Sequence, residues 1–124
     1  MEVGTIKAVH IYIHEEKYVT AELELNVKGA NYSFGGTSTF LSGPQGGDAG
    51  DAPYLARFIF RCMQICGVET FESLKSHKVL AHIVDGEVIA IANVAGQNWF
   101  NVRQEFDTIR KEKLTNSGHS NLIL

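Results

Sequence analysis

The fold is decided by the stretch KVLAHIVDGEVIAIANV, residues 78–94. Two apolar runs flank Asp85-Gly86, a dipeptide that is typical of type I′ turns because both central positions of such a turn have positive φ. The stretch therefore predicts a β-hairpin with strands over Lys78–Val84 and Glu87–Val94. The polar-aromatic segment Gly96–Asn101 follows the hairpin, and a helix ending in basic residues comes after it.

Three further strands are predicted upstream of this hairpin, because apolar and polar residues alternate with the period of a strand that has one wet face. In the first of them, Ile11 and Ile13 fall on the face opposite to Tyr12. In the third, Tyr32 and Phe34 are expected to point inward. The three predicted strands are Thr5–His14, Tyr18–Lys28 and Asn31–Gly35.

Two main helices are predicted as well. The first follows Asp51, a candidate N-cap, and carries an apolar stripe at helical spacing until Gly67 ends it. The second begins after Asn101, another candidate N-cap, with Gln104 three residues later. The first stripe consists of Leu55, Phe58, Ile59, Cys62, Ile65 and Cys66, and the second consists of Val102, Phe106 and Ile109.

The second helix is expected to end near Arg110, Lys111 and Lys113, because their charges favour a helix C-terminus. The tail Thr115–Leu124 is expected either to fray or to dock on a neighbouring subunit. Between the first helix and the hairpin, Thr70–Leu74 is expected to form a single helical turn.

These elements follow one another in the order β-β-β-α-β-β-α. The order predicts an α+β fold, in which a mainly antiparallel sheet of about five strands carries two main helices on its apolar face. The chain has 124 residues, of which 44% are hydrophobic and 20% are charged. That length and composition predict one globular domain over residues 1–124.

The charge balance limits the partners of the protein. Its formal net charge is −3, whereas proteins that bind long nucleic acids are normally basic. We therefore expect no long nucleic acid as a partner, although two or three clustered cations would suffice for one small anion. No apolar run approaches the ~18 residues typical of a membrane span, and no secretory signal pattern is present. The sequence thus predicts a cytoplasmic protein without a membrane partner.

The residue pattern gives no reason to expect metal, cofactor or covalent chemistry. On one strand, His10 and His14 would lie roughly 13 Å apart, which is too far for a shared metal ion. Cys62 and Cys66 share one helical face, where we expect reduced thiols that pack as small apolar groups. The serines lie in no nucleophile elbow. We therefore expect a protein that is not an enzyme, with a catalytic site assembled in space as the alternative.

The segment Gly35–Gly50 is rich in glycine and precedes the first helix, where backbone amides can bind a phosphate. It matches neither the dinucleotide-binding nor the Walker pattern, and Asp48 and Asp51 would repel an anion there. We therefore expect a mobile connector or a lid rather than a phosphate-binding loop.

The segment after the hairpin is the one most typical of a binding site. Its amides could bind the polar edges of a base or a ribose, and its two rings could stack on a planar group. The alternative is that Trp99 fills the core and that Asn101 only caps the helix. The amides are those of Asn93, Gln97, Asn98 and Asn101, and the rings are those of Trp99 and Phe100.

Four arginines are candidates for contact with phosphate, because a guanidinium fork fits a phosphate group well. The alternative for each arginine, considered alone, is a solvated surface charge. Their contribution to a site depends on whether oligomerisation brings them together. They are Arg57, Arg61, Arg103 and Arg110.

Four motifs follow one another along nearly the whole chain. They are Ala30-Asn31-Tyr32-Ser33-Phe34-Gly35-Gly36 after the second strand, Ala56-Arg57-Phe58-Ile59 in the first helix, Val88-Ile89-Ala90-Ile91-Ala92-Asn93 in the hairpin and Asn98-Trp99-Phe100 after it. With the order of elements, this set of motifs resembles the first described family of phage anti-Thoeris proteins.

The resemblance implies a function in immune evasion. Proteins of that family bind a cyclic ADP-ribose isomer made by a bacterial defence enzyme, and they withhold it, chemically intact, from the effector that it would activate. Their ligand lies at subunit interfaces of dimers, which can assemble into hexamers, and some members also bind cyclic oligonucleotides at separate sites. For this chain, the resemblance implies a sponge for a small cyclic nucleotide that acts in the host cytosol as a homodimer or hexamer.

The resemblance also assigns residues to the site. Asn93 and Arg110 match the asparagine and the arginine with which the family contacts its ligand. Near the first hairpin strand the family has an aromatic residue, whereas this chain has His82 or Ile83 there, so a ring after the turn is expected to replace the stacking contact. The predicted ligand-binding residues are Asn93, Arg110, Phe100, Trp99, His82, Arg103 and Arg57.

Two functions from other classes stay open at this point. One is a nucleotide-degrading enzyme, such as a cyclic phosphodiesterase, whose site forms between subunits. The other is a protein-interaction inhibitor of a host factor.

Overall fold

The computed structural model describes the backbone of residues 1–40 and 52–123, and the side chains of residues 1–37, 39–40 and 54–112. Within these residues six strands form one antiparallel sheet in the order β3-β2-β1-β4-β5-β6. The strands are β1 (Glu2–His14), β2 (Tyr18–Val27), β3 (Ala30–Gly35), β4 (Lys78–Val84), β5 (Glu87–Ala92) and β6 (Phe100–Asn101), and the helices are α1 (Thr37–Phe40), α2 (Ala52–Cys66) and α3 (Val102–Ile123).

The α+β class and the mainly antiparallel sheet are confirmed. The sheet has a sixth strand because Phe100 pairs with Ile91 and Asn101 pairs with Ala90, where the sequence predicts only a turn. A two-residue strand is too short to show any period, so its pairing cannot be read from the pattern. After α2 the chain returns to the middle of the sheet, where β4 pairs with β1.

The hairpin of β4 and β5 forms where the sequence predicts it. Asp85 and Gly86 have φ values of 51° and 78°, which are the positive values that a type I′ turn requires. The predicted single helical turn is confirmed as a 3₁₀ turn over Glu72–Leu74, and Leu74 is fully buried.

The core lies between the sheet and the two long helices. Every second residue of β2 from Ala21 onward is buried, which confirms the predicted alternation. An aromatic cluster fills the centre, with Phe58 at ring-centroid distances of 5.4 to 5.8 Å from three other phenylalanines. The members of the cluster are Phe34, Phe40, Tyr54, Phe58, Phe100 and Phe106.

The far end of the β1–β2 hairpin lies outside this core. Ile11 and Ile13 share a face as expected, but they are 51% and 68% exposed. Val19, the partner of Ile13 in the register, is 38% exposed. Alternation therefore predicts the orientation of these side chains correctly. Whether they are buried depends on how far the layer that packs on this face of the sheet extends.

The prediction of a loop from Gly35 to Gly50 is wrong in its first part. Residues 37–40 form the helical turn α1, and Phe40 is fully buried at the end of it. The ring of Phe40 packs against Phe58 and Phe106, at centroid distances of 5.4 and 5.5 Å. The remainder of the predicted loop, with the candidate cap Asp51, lies outside the described residues.

The second long helix begins where its cap predicts and ends later than expected. Asn101 Oδ1 accepts a hydrogen bond of 3.1 Å from the backbone nitrogen of Gln104, which confirms the N-cap. The predicted end near Lys113 is wrong, since the backbone stays helical to Ile123. Cationic side chains are favourable near a helix C-terminus but do not by themselves end a helix. In the part of the chain that the structure describes, no helix is long and apolar enough to span a bilayer.

Candidate functional site

The predicted binding segment connects β5 to β6 and is folded into a compact turn. The backbone nitrogen of Asn93 donates a hydrogen bond to the carbonyl of Gln97, and the nitrogen of Gly96 donates one to the carbonyl of Asn93. Gly96 and Asn98 have φ values of 77° and 62°, a conformation that glycine adopts freely and asparagine tolerates. From Asn93 to Gln97 the turn is thus held by its own local hydrogen bonds.

The side chain of Asn93 closes this turn. Its Oδ1 accepts hydrogen bonds from the backbone nitrogens of Ala95, at 3.2 Å, and Gln97, at 2.9 Å. The Nδ2 group of Asn93 has no hydrogen-bond partner among the described residues. Asn93 therefore has a definite structural role, and it keeps two N–H donors with which it could bind a ligand.

Trp99 and His82 lie together on the outer face of the sheet, opposite to the helices. Within β4, Ala81 is fully buried on the core side, so its neighbour His82 points to the other face. The rings of Trp99 and His82 meet edge to face, with their centroids 6.5 Å apart. Trp99 is half-buried and His82 is exposed, so the pair offers an aromatic surface that a planar ligand could reach.

Phe100 does not fit its predicted role as a stacking residue. It is fully buried, and its ring packs against Phe34 and Phe58 at centroid distances of 5.6 and 5.8 Å. A ligand would have to displace the core to reach it. Of the two adjacent rings, Trp99 is therefore the one available on the surface.

The arginines lie on two different flanks of the helices. Arg57 is exposed and lies 3.7 Å from Glu105, on the side of α3 that faces α2. Arg103 and Arg110 are seven residues apart on α3, which places them two turns apart on one shared flank. Arg110 forms an ion pair of 2.7 Å with Asp107. One protomer thus brings Arg103 and Arg110 to the same flank and leaves Arg57 on another.

Arg61 is the candidate phosphate contact whose position the sequence does not predict. It is only 8% exposed and is paired with Glu105 at 3.0 Å, so it does not face solvent as a phosphate contact would. The sequence does indicate that Arg61 is partly buried, because its neighbours Phe58 (i−3) and Ile65 (i+4) both belong to the apolar stripe of the helix. A polar residue between two buried ones on a helix is itself at least partly buried.

Other features of the described surface lie away from the turn. A shallow depression of about 410 Å³ contains none of the predicted site residues and is lined by Met1, Glu2, Val27, Lys28, Ala30, Tyr32 and Ile83. The described residues contain no group of three or more His, Cys, Asp and Glu side chains that could hold a metal ion.

No protein-family model matches this chain. Neither a curated protein sequence nor a solved structure matches it.

Proposed function

We propose that this protein binds a small cyclic nucleotide of the cyclic ADP-ribose type and sequesters it without breaking a bond. The observation that carries the proposal is the turn from Asn93 to Trp99, which is held by hydrogen bonds of Asn93 and Arg61 and presents an aromatic ring at the surface. A binding surface that is ordered before the ligand arrives loses less entropy on binding. Such a surface favours tight equilibrium binding.

The chemistry of the surface corresponds to the parts of such a ligand. An adenine is flat and can pack on the Trp99 ring beside His82. The amide Nδ2 of Asn93 can donate to an acceptor on the base or the ribose. The two phosphates require cations at fixed positions, and Arg103 and Arg110 supply two from one flank of α3.

We propose further that two copies of the chain complete the site. The arginines of one protomer lie on its helices, whereas Trp99 lies on the opposite face of the sheet, so in this proposal a partner protomer brings its cations to the ligand on Trp99. An interface between copies also encloses more of a small molecule than one domain of this size can. In an infected cell, such a dimer or hexamer would act in the host cytosol and withhold the signal of Thoeris defence from its effector.

The experiment is to purify the chain from cells that produce the cyclic ADP-ribose signal, and to record a native mass spectrum followed by heat release of the ligand. We expect a dimer or larger assembly with added nucleotide mass, and a released compound identical to the original signal. An altered compound would instead indicate a cyclic phosphodiesterase or another nucleotide-degrading enzyme.

A thermal-unfolding screen with cyclic nucleotides distinguishes the remaining alternative. A ligand present at 100 times its Kd stabilises the folded protein by about 2.7 kcal/mol, which corresponds to a rise in Tm of roughly 10 °C for a domain of this size. A monomeric protein whose Tm no cyclic nucleotide raises would contradict the proposal and favour an inhibitor that binds a host protein.

A further inference from the structure

The guanidinium of Arg61 joins three parts of the molecule. Its Nε donates to both carboxylate oxygens of Glu105, each at 3.0 Å, and its Nη1 donates to Gln64 Oε1 at 2.7 Å. Its Nη2 donates to the carbonyl oxygens of Trp99, at 2.8 Å, and Asn98, at 3.4 Å. Arg61 thus connects α2 to α3 and to the end of the surface turn.

These contacts are made from the core side of the turn. Arg61 is 8% exposed, and its guanidinium carbon lies 5.3 Å from the centroid of the buried Phe100 ring. Hydrogen bonds from a charged donor are stronger than neutral ones, and partial burial strengthens them further. The two backbone carbonyls that flank the Cα of Trp99 are therefore fixed by a group that a surface ligand does not reach.

The turn needs this second attachment point. Asn93 closes it only as far as Gln97, and the next residue, Asn98, has a φ of 62°, which an L-residue adopts at some energetic cost. Without a partner for the carbonyls of Asn98 and Trp99, nothing among the described side-chain hydrogen bonds would hold the chain between Gln97 and β6. The direction of the Trp99 ring depends on that short stretch.

We propose that Arg61 is a positioning residue that sets the orientation of Trp99 through the Asn98 and Trp99 carbonyls, with Glu105 holding the guanidinium in place. The inference deepens the proposed function, since Trp99 is the stacking surface of that site. Lysine cannot replace arginine here, because an ammonium has no planar fork that reaches Glu105 and the two carbonyls at the same time.

The test uses Trp99 as its own reporter, because it is the single tryptophan of the chain. Fluorescence anisotropy and acrylamide quenching are measured without ligand for the wild type, Arg61→Lys and Gln64→Ala. The last is the matched control, since it removes one hydrogen bond of Arg61 and leaves those to the turn. Far-UV circular dichroism and thermal unfolding of each variant show whether the fold is kept.

For Arg61→Lys we expect an acrylamide quenching constant about twofold higher, with lower anisotropy, as for a half-buried ring that becomes mobile. Affinity for the cyclic ADP-ribose isomer should fall about tenfold, the loss that corresponds to one hydrogen bond to a charged group. Gln64→Ala should match the wild type in Trp99 fluorescence and in affinity. Unchanged Trp99 fluorescence in a folded Arg61→Lys protein would overturn the inference, and so would equal losses in the two variants.

This design distinguishes failure of the proposed function from failure of the inference about Arg61. A wild type that binds no cyclic nucleotide contradicts the proposed function, while quenching without ligand still decides the role of Arg61. If Arg61→Lys does not fold, Glu105→Gln takes its place, because it keeps the shape of the acceptor and removes its charge. That variant should shift quenching in the same direction by a smaller amount, and wild-type quenching in it would overturn the inference.

Discussion

Asn93 Oδ1 lies 2.9 Å from the backbone nitrogen of Gln97, four residues further along the chain. This hydrogen bond makes the side-chain oxygen of Asn93 part of the fold, while the nitrogen on the same amide has no hydrogen-bond partner among the described residues. The fold therefore uses only one half of this side chain among the described residues, and substitution can separate the two halves.

Replacing Asn93 by Asp and by Ala should give different results. Asn93→Asp keeps an acceptor for the turn and loses the N–H donors, so its free energy of unfolding should stay within about 0.5 kcal/mol of the wild type while ligand affinity falls about tenfold or more. Asn93→Ala loses both and should also be destabilised by about 1–2 kcal/mol. Calorimetric titration and urea unfolding measure the two quantities. Wild-type affinity in Asn93→Asp would assign Asn93 to the turn alone.

Arg110→Ala should weaken ligand binding by about 10- to 100-fold, because it removes a charged donor that can form paired hydrogen bonds with phosphate. Stability should change little, since the ion pair with Asp107 is partly exposed to solvent. Lys111→Ala is the matched control, because it makes the same change in net charge at the neighbouring position. Equal losses of affinity in the two variants would point to general electrostatic attraction instead of a specific contact.

Phe100→Ala should lower the free energy of unfolding by about 3–5 kcal/mol, because it leaves a cavity in the aromatic cluster. Phe60→Ala makes the same chemical change at a side chain that is 58% exposed, and should stay within about 0.5 kcal/mol of the wild type. Chemical unfolding of the two variants is the measurement. Similar stabilities would mean that Phe100 is not a core residue under solution conditions.

Stability should fall in alkaline solution through the thiol of Cys62. Burial raises the pKa of this thiol well above its ordinary value of 9.0, so the unfolded chain loses the proton first as the pH rises. The contribution of the protonated Cys62 thiol to the free energy of unfolding is fully present below pH 9.0. Above that pH it is lost by up to about 1.4 kcal/mol per pH unit. Urea unfolding between about pH 8 and pH 10.5 should give a shallower decline for Cys62→Ala than for the wild type. Parallel declines would contradict this assignment.

Much of the architecture follows from short-range patterns. The Asp85-Gly86 turn, the cap at Asn101 and the alternation of β2 each depend on a few neighbouring residues, and each occurs where the sequence predicts it. The free thiols of Cys62 and Cys66 also agree with their expected position on the inner face of a helix. In each case the deciding interaction lies within about one turn or one strand of the residue concerned.

The candidate site could be located from the sequence, but its inner and outer parts could not be told apart. Nothing in Trp99-Phe100 says which ring faces the core, because β6 is too short to carry a period and its pairing with β5 decides the matter. The contacts of Arg61 depend on α2 meeting α3 and the turn, which lie 37 to 44 residues further along the chain. Local chemistry thus determines the turns, the caps and the strand faces of this protein, whereas long-range packing alone decides which polar and aromatic side chains hold the fold and which remain at the surface.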